Sequence, residues 1–437
     1  FIPSCIQDIH HHLNADISPP KEEGASGTHT YNGKQVMRTG VRQTFVHQSI
    51  RSLIAAGYTV PRVDQYPRVI DNIPVLKHGK QVFDRRISHV YTAGTYDDKE
   101  TTKLTNNIGC YWFHYEPKDN ICNTNMLFCG MCILDSYTGN IYSQEIDVMV
   151  NHDLNCFDAI GSYHEIHNPS EIIVITNIPD LLYNDLNTHV LKDTPKQLII
   201  DTKEKGPLQE KVSHILNREV QKEFIYQFYS SNHHATLYNM FSEYRYSCYA
   251  LCYLLQHVKH CNPDIVDMLH LPIYDRQTNY MHSGNHSLLQ LNIIGKPGET
   301  CMLEFLNKCR TIIGRREFKR HMLYPITDKD ILQKRYNIIE YIQNQWKDMK
   351  TIQQQLGSIH DLERLRRYII QQQISPSQVI TICNDCHTMV TIYNTLNSHK
   401  LLQDYLTDVN IGEYCNSIVN EIQGMFNIEV SKEVTKQ

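Results

Sequence analysis

Leu127-Phe-Cys-Gly-Met-Cys-Ile-Leu134, Asp135-Ser-Tyr-Thr-Gly-Asn140 and Ile141-Tyr-Ser-Gln-Glu-Ile-Asp-Val148 read as a strand, a turn and a second strand. The first run is nearly continuous in apolar residues, as in a strand buried on both faces. The middle stretch carries the Asp, Asn and Gly that turns require. The third alternates, with Ile141, Ser143, Glu145 and Asp147 on the opposite parity to Tyr142 and Ile146. Glu171–Thr176 and Gln197–Ile200 are two more short apolar runs, separated from the first pair by helical stretches. Strands interleaved with helices predict an α/β unit at the centre of the chain.

Different textures lie on either side. Before about residue 112 the chain is turn-rich with one clear helix. Thr44–Gly57 places Phe45, Ile50, Leu53 and Ile54 at helical spacing, and Gly57 is a natural stop. Tyr58–Val63 resembles a short strand, and the Gly-rich Lys21–Gly33 a mobile loop. After about residue 216 the pattern is helical. Tyr246, Ala250, Tyr253 and Leu254 form one stripe, and Met302, Phe305, Leu306, Cys309 and Ile313 another. A third contains Ile331, Leu332, Ile338, Ile339 and Ile342, entered through a capping arrangement of Thr327 with Asp330. Ser375-Pro376 opens a further helix. The fold class expected is therefore multidomain: a small α/β unit over 1–112, a second α/β unit over 113–215, and an all-α unit of long helices over 216–437.

The 437 residues include 41% hydrophobic and 20% charged side chains, enough for packed cores and too many for wholesale disorder. Mean hydropathy is −0.43, and no apolar run is long enough to cross a bilayer. A net charge of −5 argues against a uniformly cationic coat for nucleic acid, though not against local basic patches. The 14 cysteines are scattered among apolar residues and read as reduced core thiols of an intracellular compartment. The chain starts at Phe1 and reads as a piece of a longer product.

Each chemical motif has a bland competitor. Gly33-Lys34 and Gly295-Lys296 lack the upstream Gly and following Ser or Thr of a phosphate loop, so no nucleotide site is expected within these residues. Cys129-x2-Cys132 has zinc-knuckle spacing, but strand alternation sends the pair to opposite faces. Cys383-x2-Cys386-His387 fits a haem-attachment pattern and also an apolar helical stripe; core thiols are the better reading. His164-Glu-Ile-His167 is one residue short of the helical zinc-protease pattern, and no metal site is expected. Asp135, Glu145 and Asp147 suggest a two-metal nuclease, set against ordinary turn and surface roles. Lys308, Arg310, Arg315, Arg316, Lys319, Arg320 and His321 read chiefly as a solvated helix face pairing with Glu304 or Glu317. Arg85-Arg86 with His89, ahead of Val90-Tyr-Thr-Ala-Gly-Thr95, is the more open basic group.

Several of these stretches together resemble the MutS family of DNA mismatch-repair proteins. Ser287–Leu291, then Met302 through Arg316, Leu323-Tyr-Pro-Ile-Thr-Asp328 and Ile331 through Arg335 are similar to its core signature: a leucine-rich helix, Thr-x-x-Gly-x-Arg, Leu-x-Pro-Ile/Leu-x-Asp and Ile-x-x-Arg. Ile359-His-Asp-Leu-Glu-Arg-Leu365 followed by Ile374-Ser-Pro376 resembles its next landmark. Asp135-Ser-Tyr-Thr-Gly139 resembles its connector turn. Gly40-Val41, Ala56-Gly-Tyr-Thr-Val60, Asp64-Gln65 and Thr92-Ala-Gly-Thr95 resemble the end of its mismatch-binding domain. The chain looks most like the divergent branch of large DNA viruses and octocoral mitochondria.

The resemblance implies a truncated mismatch-binding domain (1–112), an RNase H-like connector (113–215) and a partial core and lever (216–437). It implies ATP-dependent recognition of mismatched double-stranded DNA by a homodimer, with no membrane role. ATP and Mg²⁺, the Phe-x-Glu wedge, the clamp and the ATPase domain would then all lie outside these residues, and no catalytic residue is expected inside them. Thr-Ala-Gly stands where Thr-Pro-Gly is commoner, and His89 where an Arg is frequent. Arg42, Arg85, Arg86 and His89 are the residues expected to touch DNA. A viral factory in host cytoplasm or a mitochondrion is the compartment that fits. Two rivals remain: a metal nuclease using Asp135 and Asp147, and a non-catalytic DNA-bending or scaffold protein.

Overall fold

The computed structural model describes residues 43–426 apart from 71–72, 75, 78–79, 98–102, 119–123, 151–153, 193, 195–196, 204–205, 268, 275–279, 282–286, 296–299, 404–405 and 407–409. Short strands at 17–18, 29–31, 34–36 and 38–39 are described as well. Arg42, Gly40-Val41 and most of the expected loop at 21–33 lie outside the described residues.

At the front, helix α1 (Val46–Ala55) ends where Gly57 takes a φ of +85°, the left-handed turn expected of it. Strands β1 (Val60–Pro67) and β2 (Phe83–Tyr91) follow as an antiparallel pair with a bulge between Ile87 and His89. β1 extends four residues beyond the expected end at Val63.

The centre is a six-stranded sheet of β3 (Asn107–Glu116), β4 (Asn125–Asp135), β5 (Ile141–Val150), β6 (Glu171–Thr176), β7 (Gln197–Asp201) and β8 (Ile273–Tyr274). Its spatial order is β7-β6-β3-β4-β5-β8. β3, β4 and β5 form an antiparallel meander; β6 runs parallel to β3, and β7 to β6. The expected boundary at residue 112 falls inside β3, so this unit begins at least as early as Asn107.

Alternation along β3 divides two cores. Ile108, Cys110 and Trp112 face one side, Tyr111 and Phe113 the other. Cys129 and Cys132 part in the same way, one in each core, as their three-residue spacing requires. Helix α2 (Asp158–His167), with the helical turns around Leu186–Leu191, covers the Tyr111 face. The other face is covered by α3 (Pro207–Ile215), α4 (Arg218–Phe228), α5 (Ser231–Glu243) and α6 (Arg245–Cys261). The result is a three-layer α/β/α unit.

α4, α5 and α6 all fall in the span expected as the helical third (216–437), yet they pack on this sheet, α6 most closely. It lies on β3 and β4 and is buried on nearly every side. Gly130 explains how closely it approaches. A Cβ there would meet the Tyr246 carbonyl carbon at 2.0 Å.

Past residue 301 the described residues are mostly helical. They comprise α7 (Ile312–Leu323), α8 (Lys329–Asn344), α9 (Trp346–Leu356), α10 (Leu362–Ile370), α11 (Pro376–Asn397) and α12 (Ile411–Met425), with short helical turns between some of them. The 22 residues of α11 make a rod about 33 Å long. Ser375 caps it in a full capping box with Gln378. Two expectations fail here, and a glycine takes a local role. The cap of α8 is Asp328, accepting from Asp330 and Ile331 N–H groups, and not Thr327. The stripe from Met302 is interrupted, because the helix breaks after Leu306 and Met302, Phe305 and Leu306 are exposed. Gly314 seats the capping side chain of Thr311 rather than a second helix.

Candidate functional site

Arg85 and Arg86 sit side by side on β2 and are both exposed. Being consecutive in a strand, they project to opposite faces of the β1–β2 ribbon. Arg85 shares its face with Phe83, Ile87 and Val63, all exposed, and with Gln65 directly across. Arg86 stands across from Asp64 and two residues from Asp84. Arg68 hydrogen-bonds Asp84, and both Arg68 and Arg86 favour that carboxylate's charged form. The two arginines therefore differ in setting: one is surrounded by neutral and apolar groups, the other by compensating carboxylates.

His89 is placed otherwise. Its Nε2 lies 3.4 Å from Asp264 Oδ2, and its ring stacks on Tyr91 at 5.6 Å and 9°. It faces the fold and not the ribbon's open side.

β2 runs straight into the turn Thr92-Ala-Gly-Thr95, and the turn is clamped. Thr92 N–H donates to Thr95 Oγ1 (2.8 Å), and Thr95 Oγ1 donates to the Val90 carbonyl. Gly94 N–H donates to Glu171 Oε2 at 3.2 Å. Asn106 Nδ2 donates to the Ala93 and Gly94 carbonyls, and Asn262 Nδ2 to the Thr95 carbonyl. A Cβ at Gly94 would lie 2.4 Å from Ile108 Cγ1, so the turn touches β3 too closely for any other residue. Behind Glu171 stands His257, Nε2 3.8 Å from Oε1 and 3.6 Å from Cys261 Sγ. Burial alone would discharge this imidazole, but Cys261 and Glu171 outweigh it and raise its pKa to about 9. None of Glu171, Asn262 or His257 was legible as a site residue, because each acts on a partner at least 75 positions away.

The remaining candidates resolve into structure. Asp135 is fully buried and accepts from the N–H groups of Asn106 and Tyr137 and from the Thr138 hydroxyl, so it is a turn residue. Asp147 lies seven residues along β5 from the level of Asn140, which is roughly 23 Å at the usual rise of a strand. The two carboxylates cannot share metal ions, and no cluster able to hold a metal occurs among the described residues. His164 accepts or donates to Tyr111 and Thr194 hydroxyls, each at 2.9 Å. His167 packs between Tyr142 and Tyr163, and burial pushes its pKa down to about 3. Cys383 and Cys386 are core thiols beside Cys415. In the basic run on α7, Arg320 and His321 pair with Glu317, whereas Arg316 points inward to Asp361 and Glu363.

A two-stranded ribbon bearing Arg85 and Arg86, joined by a clamped turn to an α/β/α unit and followed by long helices, defines a multidomain protein of mixed α/β and helical units. The family model for MutS domain I matches residues 22–100 and that for MutS domain III residues 286–433, together more than half of the chain. DNA mismatch repair protein MutS of Caldanaerobacter subterraneus is 24% identical over 371 residues, covering 83% of this chain and 38% of the relative. A putative DNA mismatch repair protein mutS homolog of Acanthamoeba polyphaga mimivirus is 22% identical over 399 residues (84% and 34%), and the Petrotoga mobilis MutS 20% over 392 (85% and 40%). The chain belongs to the MutS family. It spans two fifths or less of the length of these relatives.

Proposed function

We propose that this chain is the DNA-reading and force-transmitting part of a mismatch-recognition protein. The observation that carries the reading is collinearity: MutS domain I and domain III match in that order, and relatives named for DNA mismatch repair align over more than four fifths of the chain. In this reading the unit between them, from about residue 107, is the connector. Its strand order, a three-stranded antiparallel meander extended by two parallel strands, supports an RNase H-like connector. The helices beyond residue 301 act as core and lever, with α6 belonging to the connector by its packing.

The physics is deformation. A mispaired step is less costly to kink and unstack than a matched one, so bending energy reads the lesion and basic residues supply affinity. Arg85 and Arg86 supply that affinity here, and Arg42 joins them by resemblance. His89 holds the ribbon's base through Asp264. ATP, Mg²⁺ and a second copy of the protein belong to this proposal for the complete protein. The residues present contain no phosphate loop.

The test is anisotropy titration of the protein expressed from its complete gene, using a labelled duplex with one G·T pair and its matched counterpart at several salt concentrations. Tighter binding to the mispaired duplex is expected. Equal affinity for both throughout would overturn the reading, and would leave a sequence-blind DNA scaffold if both bind.

A further inference from the structure

Helix α10 is nine residues long and two-sided. One side is apolar: Leu365 and Tyr368 enter a core with Ile382, Cys383 and Cys386 of α11 and Cys415 and Val419 of α12. The other side is ionic and meets three separate pieces of the connector region. Arg364 Nη2 donates to Asp97 Oδ1 at 2.8 Å, in the segment leaving the clamped turn, and its guanidinium lies 4.1 Å from the centre of the Tyr137 ring in the β4–β5 turn. Arg367, 1% exposed, donates to the carbonyls of Asp267 (2.6 Å), Ile265 (2.5 Å) and Asp264 (3.3 Å), just after α6. Asp361 and Glu363 hold Arg316 of α7, whose Nε donates to the Leu104 carbonyl at 2.8 Å. Asp135 and Lys319 act on the same network through their charges.

The direct partners are matched: Asp97 holds Arg364, Asp361 and Glu363 hold Arg316, and backbone carbonyls hold Arg367. Buried ion networks add little net stability over apolar packing, yet each member is costly to lose and tolerates few geometries. They suit a joint whose geometry matters more than its strength. The segments gripped are also telling. Asp97 and Leu104 bracket the connection from the ribbon to β3, and Asp264 touches both Arg367, through its carbonyl, and His89 of β2, through its carboxylate.

We propose that α10 is the positioning joint between the DNA-reading ribbon and the helical unit: Arg364 and Arg316 fix the ribbon's connection at Asp97 and Leu104, Arg367 fixes the segment that braces His89, and the helix carries that setting into α11 and α12 through its apolar side. Arg364, Arg316 and Arg367 are positioning residues and not DNA contacts. The DNA consequence rests on the function proposed above; the mechanical one does not.

The experiment places nitroxide labels on p-acetylphenylalanine at positions 66 and 414, exposed sites on the ribbon and on α12, and measures their separation by pulsed electron resonance in the whole chain. Asp97→Asn and Arg364→Lys are expected to broaden the distance distribution without changing the circular dichroism, and their effects are expected to be non-additive. Glu317→Gln, which breaks an exposed pair on α7 outside the joint, is the control and is expected to leave it narrow. An unchanged distribution in both joint variants, or equal broadening by the control, overturns the proposal. In the same variants the preference for mispaired over matched duplex is expected to fall about tenfold, a size usual for residues coupled in one network. If the unaltered protein has no such preference, the function proposed above fails while the distance measurement still decides the joint.

Discussion

Gly130→Ala puts the attachment of α6 to the sheet to a severe test. The added methyl would sit 2.0 Å from the Tyr246 carbonyl carbon and 2.3 Å from the Ser247 nitrogen, backbone atoms that no rotamer change can move aside. Ordinary contact requires about 3.4 Å, so the first turn of α6 must retreat by about 1.4 Å. It is not free to do so. Ser247 N–H donates to Glu145 Oε2 at 2.8 Å and its hydroxyl to the Gln144 carbonyl at 2.7 Å. Overpacking costs typically about 1–3 kcal/mol, and a gap of 0.5–1 Å forfeits a quarter to a half of each dispersion contact. We therefore expect a loss of at least about 3 kcal/mol. Trp112 packs against Tyr249 of α6 with ring centres 5.1 Å apart, so its fluorescence in a Trp346→Phe background reports this interface during urea unfolding. Gly206→Ala is the control, since nothing lies within 4 Å of its added methyl. Amide exchange at Gly94 and Thr95 should also accelerate, because the far end of α6 and Asn262 just beyond it hold that turn. A shift below about 0.5 kcal/mol for Gly130→Ala would refute the packing argument.

Other outcomes follow from the same geometry. Charge reversal at both Arg85 and Arg86 in the protein from the complete gene is expected to weaken DNA binding and to reduce the slope of log affinity against log salt by about 1.8; an unchanged slope would remove them from the interface. His257, raised to about 9 from an ordinary 6.5, contributes stability that is fully present below pH 6.5 and lost as pH rises through 9, and His257→Gln should flatten that decline in unfolding curves. His167, depressed to about 3, acts in the opposite window, with stability falling as pH drops below 6.5; retention of the full acid slope in His167→Gln would count against its burial as the cause. Ser375→Ala removes the capping box of α11 and should cost about 1 kcal/mol, read as a lowered urea midpoint.

Four of the six strands, β4 to β7, were legible because they announce themselves, whereas β3, cut by the expected boundary at 112, and the two-residue β8 were not. Leu127–Leu134 and Glu171–Thr176 are apolar throughout, and such runs bury on both faces wherever they fall. The parity argument at Cys129 and Cys132 held for the same reason: a period of two is rigid. α6 was misassigned because a stripe such as Tyr246, Ala250, Tyr253 and Leu254 says that a helix is buried, and nothing local says which neighbour it covers. The clamp and the joint were illegible for another cause. Glu171 finds Gly94 across 77 positions and Arg364 finds Asp97 across 267, so the residues carry no signature until the fold brings them together. Asp361-Leu-Glu-Arg364 sets charges on either side of a leucine that packs, which is a faint local trace of two-sidedness.

The ribbon of β1 and β2 has a consequence for whatever meets it. Two strands with no layer stacked against Arg85 or Arg86 among the described residues leave the structure with two wet sides, and adjacent arginines point one to each. A flat partner can engage one of them at a time. Only an object with two walls, or one flexible enough to fold around an edge, can neutralise both together, so the single variants at 85 and 86 report approach from left and right and should not be interchangeable.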